Sequence, residues 1–436
     1  MRVLLLHNRY RFEGGEERSV ELQMRALENA GIEHCLFERR SAESGRVAAA
    51  LAMLRGGARD RSGSIGRRSR RGPAALPVLR GRAGHGRGAV EREASGLEDG
   101  EVSDARARTE PAHGGPNDGG VAAAVRELGA DVVHAHNMQP LIGPRGLAAA
   151  RAAGARVVLH LHNARLFCAI GVAARDGGPC FRCRGRNTLP GLVLNCRGSV
   201  PEAVVYAAGL AAHQPLVFES VARFVAPSRW AAGQLALLGV PGERLDVLPH
   251  YLPESELASE SVAHEGRYAL AAGRLAPEKG FETAIEAAAQ ADVPLRIAGD
   301  GPSGAELAKL ARERAAPVEF LGRVPRTEMP GLLAGAAMLV LSSRCHEFSP
   351  YSVLEAMGAG VPVVATRSGG VPELIGPERC VPRGDPDALA GRMRALWLDP
   401  GLRREEGEAL LERAGADHSE ERYITDLLGI YDRARE

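Results

Sequence analysis

No stretch of this chain of 436 residues approaches the roughly eighteen uncharged apolar residues that a membrane-crossing helix needs. The longest is about Ala203 to Ala212. The opening MRVLLLHNRY holds too short an apolar segment for a secretory signal, so a cytoplasmic address is expected. Net charge is lacking too. Lys plus Arg number 55 against 54 acids, leaving +1 at pH 7, so no global field draws in nucleic acid, and no nucleic-acid partner is expected. Lysine occurs only at positions 279 and 309. With the excess of Ala and Gly, that arginine bias carries the imprint of a GC-rich gene. Cysteines number seven, an odd count that argues against a disulfide framework. What is present is ordinary for a globular chain, 45% apolar and 25% charged types, which excludes disorder throughout. The length favours two or three domains.

Arg2 to Leu6 reads as a strand, followed by a polar loop ending in Gly14-Gly15 and a helix-period segment from Glu16 to Ala30. Short apolar strands recur at 132–134, 157–161, 224–225, 268–272, 295–298, 318–321, 338–341 and 362–365, most of them followed by a helical pattern. That alternation predicts an α/β fold with parallel sheets. Most of these strands end in Gly, Pro, Ser or His, at the carboxyl ends where open α/β sheets hold ligands. The composition divides the chain into residues 1–252, 253–417 and 418–436. The polar stretch Leu252 to Glu265 suits a hinge, and Tyr423, Leu427, Leu428 and Tyr431 stand at helical spacing in the last segment.

Ser41 to Asp118 differs from its surroundings. It has no aromatic residue; Arg55 to Arg92 carries eleven Arg against two acids, and Glu93 to Asp118 seven acids against two Arg. Such a stretch buries too little apolar surface to offset its ordering entropy. A solvated, disordered insertion is the expectation, with a basic arm or an out-of-frame translation as alternatives.

The densest chemical signal is Arg344-Cys345-His346-Glu347-Phe348-Ser349-Pro350-Tyr351-Ser352-Val353-Leu354-Glu355. Ser349 reads as an N-cap and Pro350 as the first helical residue. The amides of Tyr351 and Ser352 are then free donors at a positive helix end, which suits a phosphate. Glu347 and Glu355 flank that site, where carboxylates accept hydrogen bonds from sugar or ribose hydroxyls. A second segment, Gly273-Arg274-Leu275-Ala276-Pro277-Glu278-Lys279-Gly280, lies between a strand and a helix. There Arg274 and Lys279 can converge on one anion.

These two segments, in this order, resemble the retaining glycosyltransferases of family 4, with Glu347-x7-Glu355 similar to that family's two-glutamate motif. The likeness extends to Gly14-Gly15-x-Glu17, Asp131-Val132-Val133-His134-Ala135-His136, Pro227-Ser228-Arg229, Gly299-Asp300-Gly301-Pro302, Leu321-Gly322-Arg323-Val324 and Gly369-Gly370-Val371-Pro372-Glu373. It covers nearly all of the chain outside Ser41 to Asp118. The resemblance implies a GT-B fold, with two Rossmann-like domains facing each other across a cleft and a C-terminal helix crossing back to the first. It further implies a nucleotide-diphosphate sugar donor held mainly by the second domain. In that reading Arg274 and Lys279 hold the diphosphate, with the amides at Ser349, Tyr351 and Ser352. Glu347 contacts the donor sugar and Glu355 the ribose. The backbone at Arg323 and Val324 meets the base, while Gly14 and Gly15 let the first domain approach the phosphates. His162 in Leu159-His160-Leu161-His162-Asn163 matches the family's histidine at the donor sugar or acceptor. The family often begins its glutamate motif with Glu-Gly-Phe-Gly; Glu347-Phe348-Ser349-Pro350 lacks both glycines, which changes the amides offered to the sugar.

Charge grows on the leaving diphosphate as the sugar gains oxocarbenium character, so fixed cations and helix-end amides act selectively in the transition state. No cofactor is required for that. Asp385-Pro386-Asp387 reads as a turn with an N-cap and not as a metal site. Cys168, Cys180, Cys183 and Cys196 cluster around a Cys-x2-Cys pair, a spacing that suits a structural zinc. Arg182, Arg184, Arg186 and Arg197 make that loop basic, facing solvent or an anionic lipid-linked acceptor at the inner membrane face. Transfer of a sugar to a surface glycan or lipid-linked acceptor is the leading function. A sugar-nucleotide epimerase and a non-catalytic nucleotide-binding protein are the alternatives.

Overall fold

The computed structural model describes residues 1–10, 14–58, 64–65 and 120–436. In its first part lie β1 (Arg2–Arg9), β2 (Glu33–Arg40), β3 (Ser64–Ile65), β4 (Val132–Ala135), β5 (Arg156–His160), β6 (Ala174–Arg175), β7 (Gly178–Pro179), β8 (Val221–Ala226) and β9 (Leu245–Val247). Seven of them form one sheet in the order β3-β2-β1-β4-β5-β8-β9, parallel except for β3. β1 takes the middle because Val3, Leu4, Leu5 and Leu6 are fully buried, the mark of a parallel strand covered on both faces. β6 and β7 make a small hairpin in the long β5–β8 connection.

The helices of this part are α1 (Gly15–Asn29), α2 (Arg46–Arg55), α3 (Val121–Leu128), α4 (Gly143–Ala152), α5 (Leu189–Val193), α6 (Val200–Ser220) and α7 (Arg229–Leu238). α1 starts where the sequence predicts. The Glu17 carboxylate accepts from the amides of Gly14 at 2.8 Å and Tyr10 at 3.2 Å, tying the loop to the first helical turn. No helix of the described residues is long and apolar enough to cross a membrane.

The second sheet, all parallel, runs β12-β11-β10-β13-β14-β15. Its strands are β10 (Tyr268–Ala272), β11 (Leu295–Ala298), β12 (Val318–Gly322), β13 (Ala336–Leu341), β14 (Val363–Thr366) and β15 (Cys380–Val381). Around them lie α8 (Phe281–Ala291), α9 (Gly304–Glu313), α10 (Met329–Ala334), α11 (Tyr351–Gly358), α12 (Val371–Ile375), α13 (Pro386–Leu398) and α14 (Pro400–Asp417). Asp385 caps α13 by accepting from the Ala388 amide at 2.9 Å, as its turn chemistry predicts.

The last helix, α15 (Glu420–Arg435), leaves the second sheet and packs on α1, β5 and β8 of the first. Leu427 and Tyr431 on its inner face are fully buried. They join an apolar cluster running from Val3 and Leu22 through Tyr251 and Leu252 to Leu354 and Met357, so one core spans both halves. The architecture is thus two Rossmann-like α/β units with a terminal helix crossing back.

Two expectations change here. Residues 41–58 are not a solvated loop. α2 buries Ala52 and Met53 against α6, where a Cβ on Gly209 would stand 2.7 Å from the Met53 carbonyl oxygen, and Ala58 N donates to Leu141 O at 2.7 Å. Alanine and methionine suffice because the glycine lets the backbones meet. The rest of the atypical segment, 59–63 and 66–118, lies outside the described residues, and with it the basic-arm and reading-frame questions. The stretch from Leu252 to Glu265 is no free linker either: Leu252, Ser261 and Ala263 are buried, and Ser261 Oγ donates to Gly360 O at 2.6 Å.

Candidate active site

Residues 274–279 leave the carboxyl end of β10, and residues 342–350 leave that of β13, its neighbour in the sheet. Parallel pairing therefore brings both loops to one edge of the cleft. There Lys279 Nζ lies 2.7 Å from Glu347 Oε1, and Ser343 Oγ donates to the same oxygen at 2.5 Å. Burial pulls the Lys279 ammonium down, but the Glu347 carboxylate outweighs it and holds the lysine above its ordinary value. Burial likewise raises Glu347, and Lys279 with Ser343 brings it below the usual carboxylate range. Both stay charged at neutral pH. The Glu347 carbonyl oxygen accepts from the Gly370 amide at 2.8 Å. Gly369, at φ +60°, leaves no room for a Cβ, which would fall 2.1 Å from that oxygen.

Arg274 has its own partner in the same loop. Its side chain is exposed and pairs with Glu278. The helix start also shifts by one residue: α11 begins at Tyr351 with Pro350 as its N-cap residue, and Ser349 makes no side-chain cap. The reason is the backbone of Pro350, whose φ of −78° and ψ of 123° are extended and not helical. The first helical bonds run from Val353 and Leu354 to Pro350 O, so the amides of Tyr351 and Ser352 precede the ladder as free helix-end donors.

Glu355 lies further along α11, where Arg326 Nη2 stands 3.7 Å away. Burial raises its carboxyl, partly offset by Arg326 and Arg18. Arg323 and Val324 occupy the loop after β12 at the same sheet edge. From the first half, Gly15 approaches so closely that a Cβ there would touch the Tyr351 ring at 3.4 Å. The Gly14–Gly15 turn and the helix start of α11 thus face each other.

Other expected motif segments also meet across the cleft. Ser228 Oγ donates to Phe348 O at 2.6 Å. Glu373 accepts from the amides of Arg229 at 2.9 Å and Trp230 at 2.5 Å. Trp230 packs on the His346 ring with centroids 4.5 Å apart, and Phe181 on the same ring at 5.7 Å.

His162 belongs to a larger array that the sequence reading missed. His134 and His136 alternate on and just past β4, and His160 and His162 do so on β5. The two adjacent parallel strands aim all four rings to one face. His162 stacks on His160 at 4.1 Å, on His136 at 5.2 Å and on His250 at 5.7 Å. His250 in turn stacks on Tyr351 at 4.3 Å, carrying the array across the cleft. Burial pushes these imidazoles down, His134 and His250 to about 3. His136, His160 and His162 lie well below the ordinary value, by burial and by their neighbouring histidines. All five are neutral. The signal was available in the two His-x-His triplets, but only sheet order makes them neighbours.

Among the described residues, the side chains whose ligand atoms converge as for a metal ion are His134, His136 and His160, within 4.8 Å of one another. Their rings stack with interplanar angles of 16° for His134–His136 and 27° for His136–His160. In-plane lone pairs of stacked rings run side by side instead of meeting at a point, and His134 Nδ1 already accepts from Tyr431 Oη at 3.0 Å. We read this cluster as a polar floor of the cleft. Cys168, Cys180, Cys183 and Cys196 line one cavity without forming such a converging group. Burial, joined by the other three sulfurs, pushes the Cys183 thiol up to about 11.

Comparison with known proteins accords with this geometry. Residues 14–250 match the family described as Glycosyl transferase 4-like domain, and residues 254–412 match Glycosyl transferases group 1. A GDP-mannose-dependent monoacylated alpha-(1-6)-phosphatidylinositol monomannoside mannosyltransferase of Corynebacterium glutamicum is 34% identical over 36% of this chain and 43% of its own. The putative colanic acid biosynthesis glycosyltransferase WcaL of Salmonella typhimurium is 31% identical over 37% of this chain and 44% of its own. These alignments span less than half the length of either relative. Among solved structures, Anabaena Alr3699/HepE in complex with UDP and glucose superposes with a TM-score of 0.59 at 15% identity, covering 98% of each chain. A glycosyltransferase of Rickettsia africae gives 0.57 at 12% identity, over 99% of this chain and 98% of its own. The chain belongs to the group 1, family-4-type glycosyltransferases of GT-B fold.

Proposed function

We propose that the chain is a retaining transferase that moves a sugar from a nucleotide-diphosphate sugar to a glycan or lipid-linked acceptor in surface-polysaccharide synthesis. The observation that carries it is the Lys279–Glu347 pair at 2.7 Å, beside the free amides that open α11. Lys279, those amides and the more exposed Arg274 bind the diphosphate and take up the charge that develops on it as the glycosidic bond breaks. Glu347, held ionised by Lys279, accepts from sugar hydroxyls. Glu355 accepts from the ribose, the loop of Arg323 and Val324 meets the base, and Gly14–Gly15 closes over the phosphates. His162 is neutral, so it donates to or accepts from the transferred sugar or the acceptor without adding a charge. The departing phosphate oxygen takes the acceptor's proton. The first unit, to residue 252, presents the acceptor, and residues 253–417 hold the donor. The relatives' GDP-mannose, UDP and glucose define the donors to try first.

Thermal shift with UDP, GDP, ADP and their common sugars tests the reading, since a ligand of the folded state raises Tm with its affinity. A selective shift by one nucleoside diphosphate and its sugar is expected, followed by transfer with retained anomeric configuration. Equal, negligible shifts by all of them overturn it, and a donor whose sugar changes configuration without an acceptor replaces it with epimerisation. For the four cysteines we propose a structural zinc, supported by their spacing and shared cavity and requiring the sulfurs, which do not converge in this structure, to draw together around the ion. About one zinc per chain by atomic emission is expected, and a content near zero removes it.

A further inference from the structure

Ten large apolar side chains are exposed among the described residues, and seven of them fall on three neighbouring helices: Val47, Leu51 and Leu54 on α2, Leu189 and Val193 on α5, and Val200 and Val204 on α6. On α2 the spacing 47, 51, 54 is one helical stripe, and it points outward while Ala52 and Met53 point in. On α5 the pair 189 and 193 is one turn apart. α6 is the least ordinary: between Glu202 and Glu219 it holds no Asp, Glu, Lys or Arg. Its solvent-facing row is Pro201, Val204, Ala208, Ala212 and Pro215, closed by Glu219 in the last turn. A surface helix turns polar residues outward along its length. This one does so only at its end.

The three stripes lie along one face. α2 meets α6 at Gly209 and His213, whereas the residues entering α5 meet it at Ala207 and Ala211, through Thr188 Oγ1 and Arg186 Nε. On a helical wheel the exposed row of α6 falls between those two sides. Cations outnumber acids at the rim, where Glu219 is the exposed acid at the end of α6. Arg182, Arg184 and Arg186, all exposed, lead into α5, and Arg55 ends α2. The nearby acid Glu202 is already paired with Arg197 at 2.9 Å.

We propose that this face docks on an anionic lipid bilayer, with the α2, α5 and α6 stripes entering the headgroup boundary and the arginines meeting lipid phosphates. An apolar strip flanked by cations is what an anionic interface attracts: buried apolar area supplies the hold, and each basic side chain adds to it. The inference goes beyond the transfer reaction and does not require it.

Flotation of the full chain with vesicles of phosphatidylcholine alone, and of phosphatidylcholine with phosphatidylglycerol, tests it. Binding to the anionic vesicles is expected, weakened by salt but not abolished, with neutral vesicles far behind. Leu51→Glu combined with Val193→Asp and Val204→Asp lowers that binding by roughly tenfold or more, with thermal unfolding and nucleotide binding unchanged. Removing Arg182 and Arg184 lowers it by roughly tenfold and makes the loss with salt shallower. Background flotation of the wild type overturns the proposal. If sedimentation then finds a dimer that the triple variant dissociates, the face belongs to a second copy; if it finds a monomer, the chain covers the face itself. Equal binding by wild type and triple variant overturns it as well.

Discussion

Lys279 Nζ stands 2.7 Å from Glu347 Oε1, joining two loops that are 68 residues apart in the chain. Each group keeps the other ionised, so the pair places a cation and a carboxylate side by side where a diphosphate leaves and a sugar remains. Lys279→Ala is expected to weaken nucleoside-diphosphate binding and to lower kcat/KM about 100- to 1,000-fold, the scale of losing one fixed transition-state charge. The exposed Arg274 has a smaller effect when changed to Ala. Calorimetry with the nucleotide found by thermal shift checks the order; equal losses, or none at Lys279, contradict it.

Gly369→Ala tests the support of Glu347. The glycine has φ +60°, and an added Cβ would meet the Glu347 carbonyl oxygen at 2.1 Å, so the loop must shift whatever the side chain. Strain of a left-handed non-glycine residue is about 1–2 kcal/mol, and the clash adds to it. Donor turnover is expected to fall more than stability does. A variant with wild-type kcat shows that the loop accommodates the methyl without moving Glu347.

Much of the fold was legible because strand and helix periods differ. β10 and β11 begin and end where their apolar runs do, and α7 spans Arg229–Leu238 between the Ser228 cap and Gly239. β2 escaped notice because Glu38 and Arg39 sit buried in it; Arg9 pairs with Glu38 at 2.9 Å, and Arg39 donates to Leu141 O at 2.7 Å. Those partners are distant in sequence. α2 escaped notice because its burial depends on Gly209 of α6, more than 150 positions away. The site was legible as motifs but not as contacts. Lys279 meets Glu347 only because β10 and β13 are neighbours, and the histidine stack exists only because β4 and β5 are.

The histidine stack makes folding sensitive to acid. His134 and His250 titrate at about 3 in the folded chain against roughly 6.5 when unfolded. Between those values the unfolded state binds protons that the folded state refuses, so their contribution is complete above about pH 6.5 and is lost as pH falls. Each adds a slope of up to about 1.4 kcal/mol per pH unit. Urea unfolding at pH 7, 6 and 5 should show a steep decline, and His250→Gln should flatten it. A slope identical in the variant would mean that His250 is protonated in the folded chain.

The crossing helix is held by a hydrogen-bond chain with a direction. Tyr423 Oη donates to Gln23 Oε1 at 3.2 Å, Gln23 Nε2 to Tyr431 Oη at 2.8 Å, and Tyr431 Oη to His134 Nδ1 at 3.0 Å. Tyr431→Phe removes that donor and leaves His134 Nδ1 and Gln23 Nε2 bonded only to each other at 3.0 Å, a loss of about 1 kcal/mol. Leu427→Ala on the same buried face removes packing alone and costs about 2–5 kcal/mol. The two changes differ in their pH response. Without Tyr431 Oη, His134 Nδ1 keeps the bond from Gln23 Nε2 but loses one of the two donors that favour its neutral form, so the acid sensitivity of Tyr431→Phe should be weaker than wild type while that of Leu427→Ala runs parallel to it. Chemical denaturation of both variants across pH 5 to 8 separates the cases, and parallel curves for all three proteins would mean that the chain of hydrogen bonds does not set the state of His134.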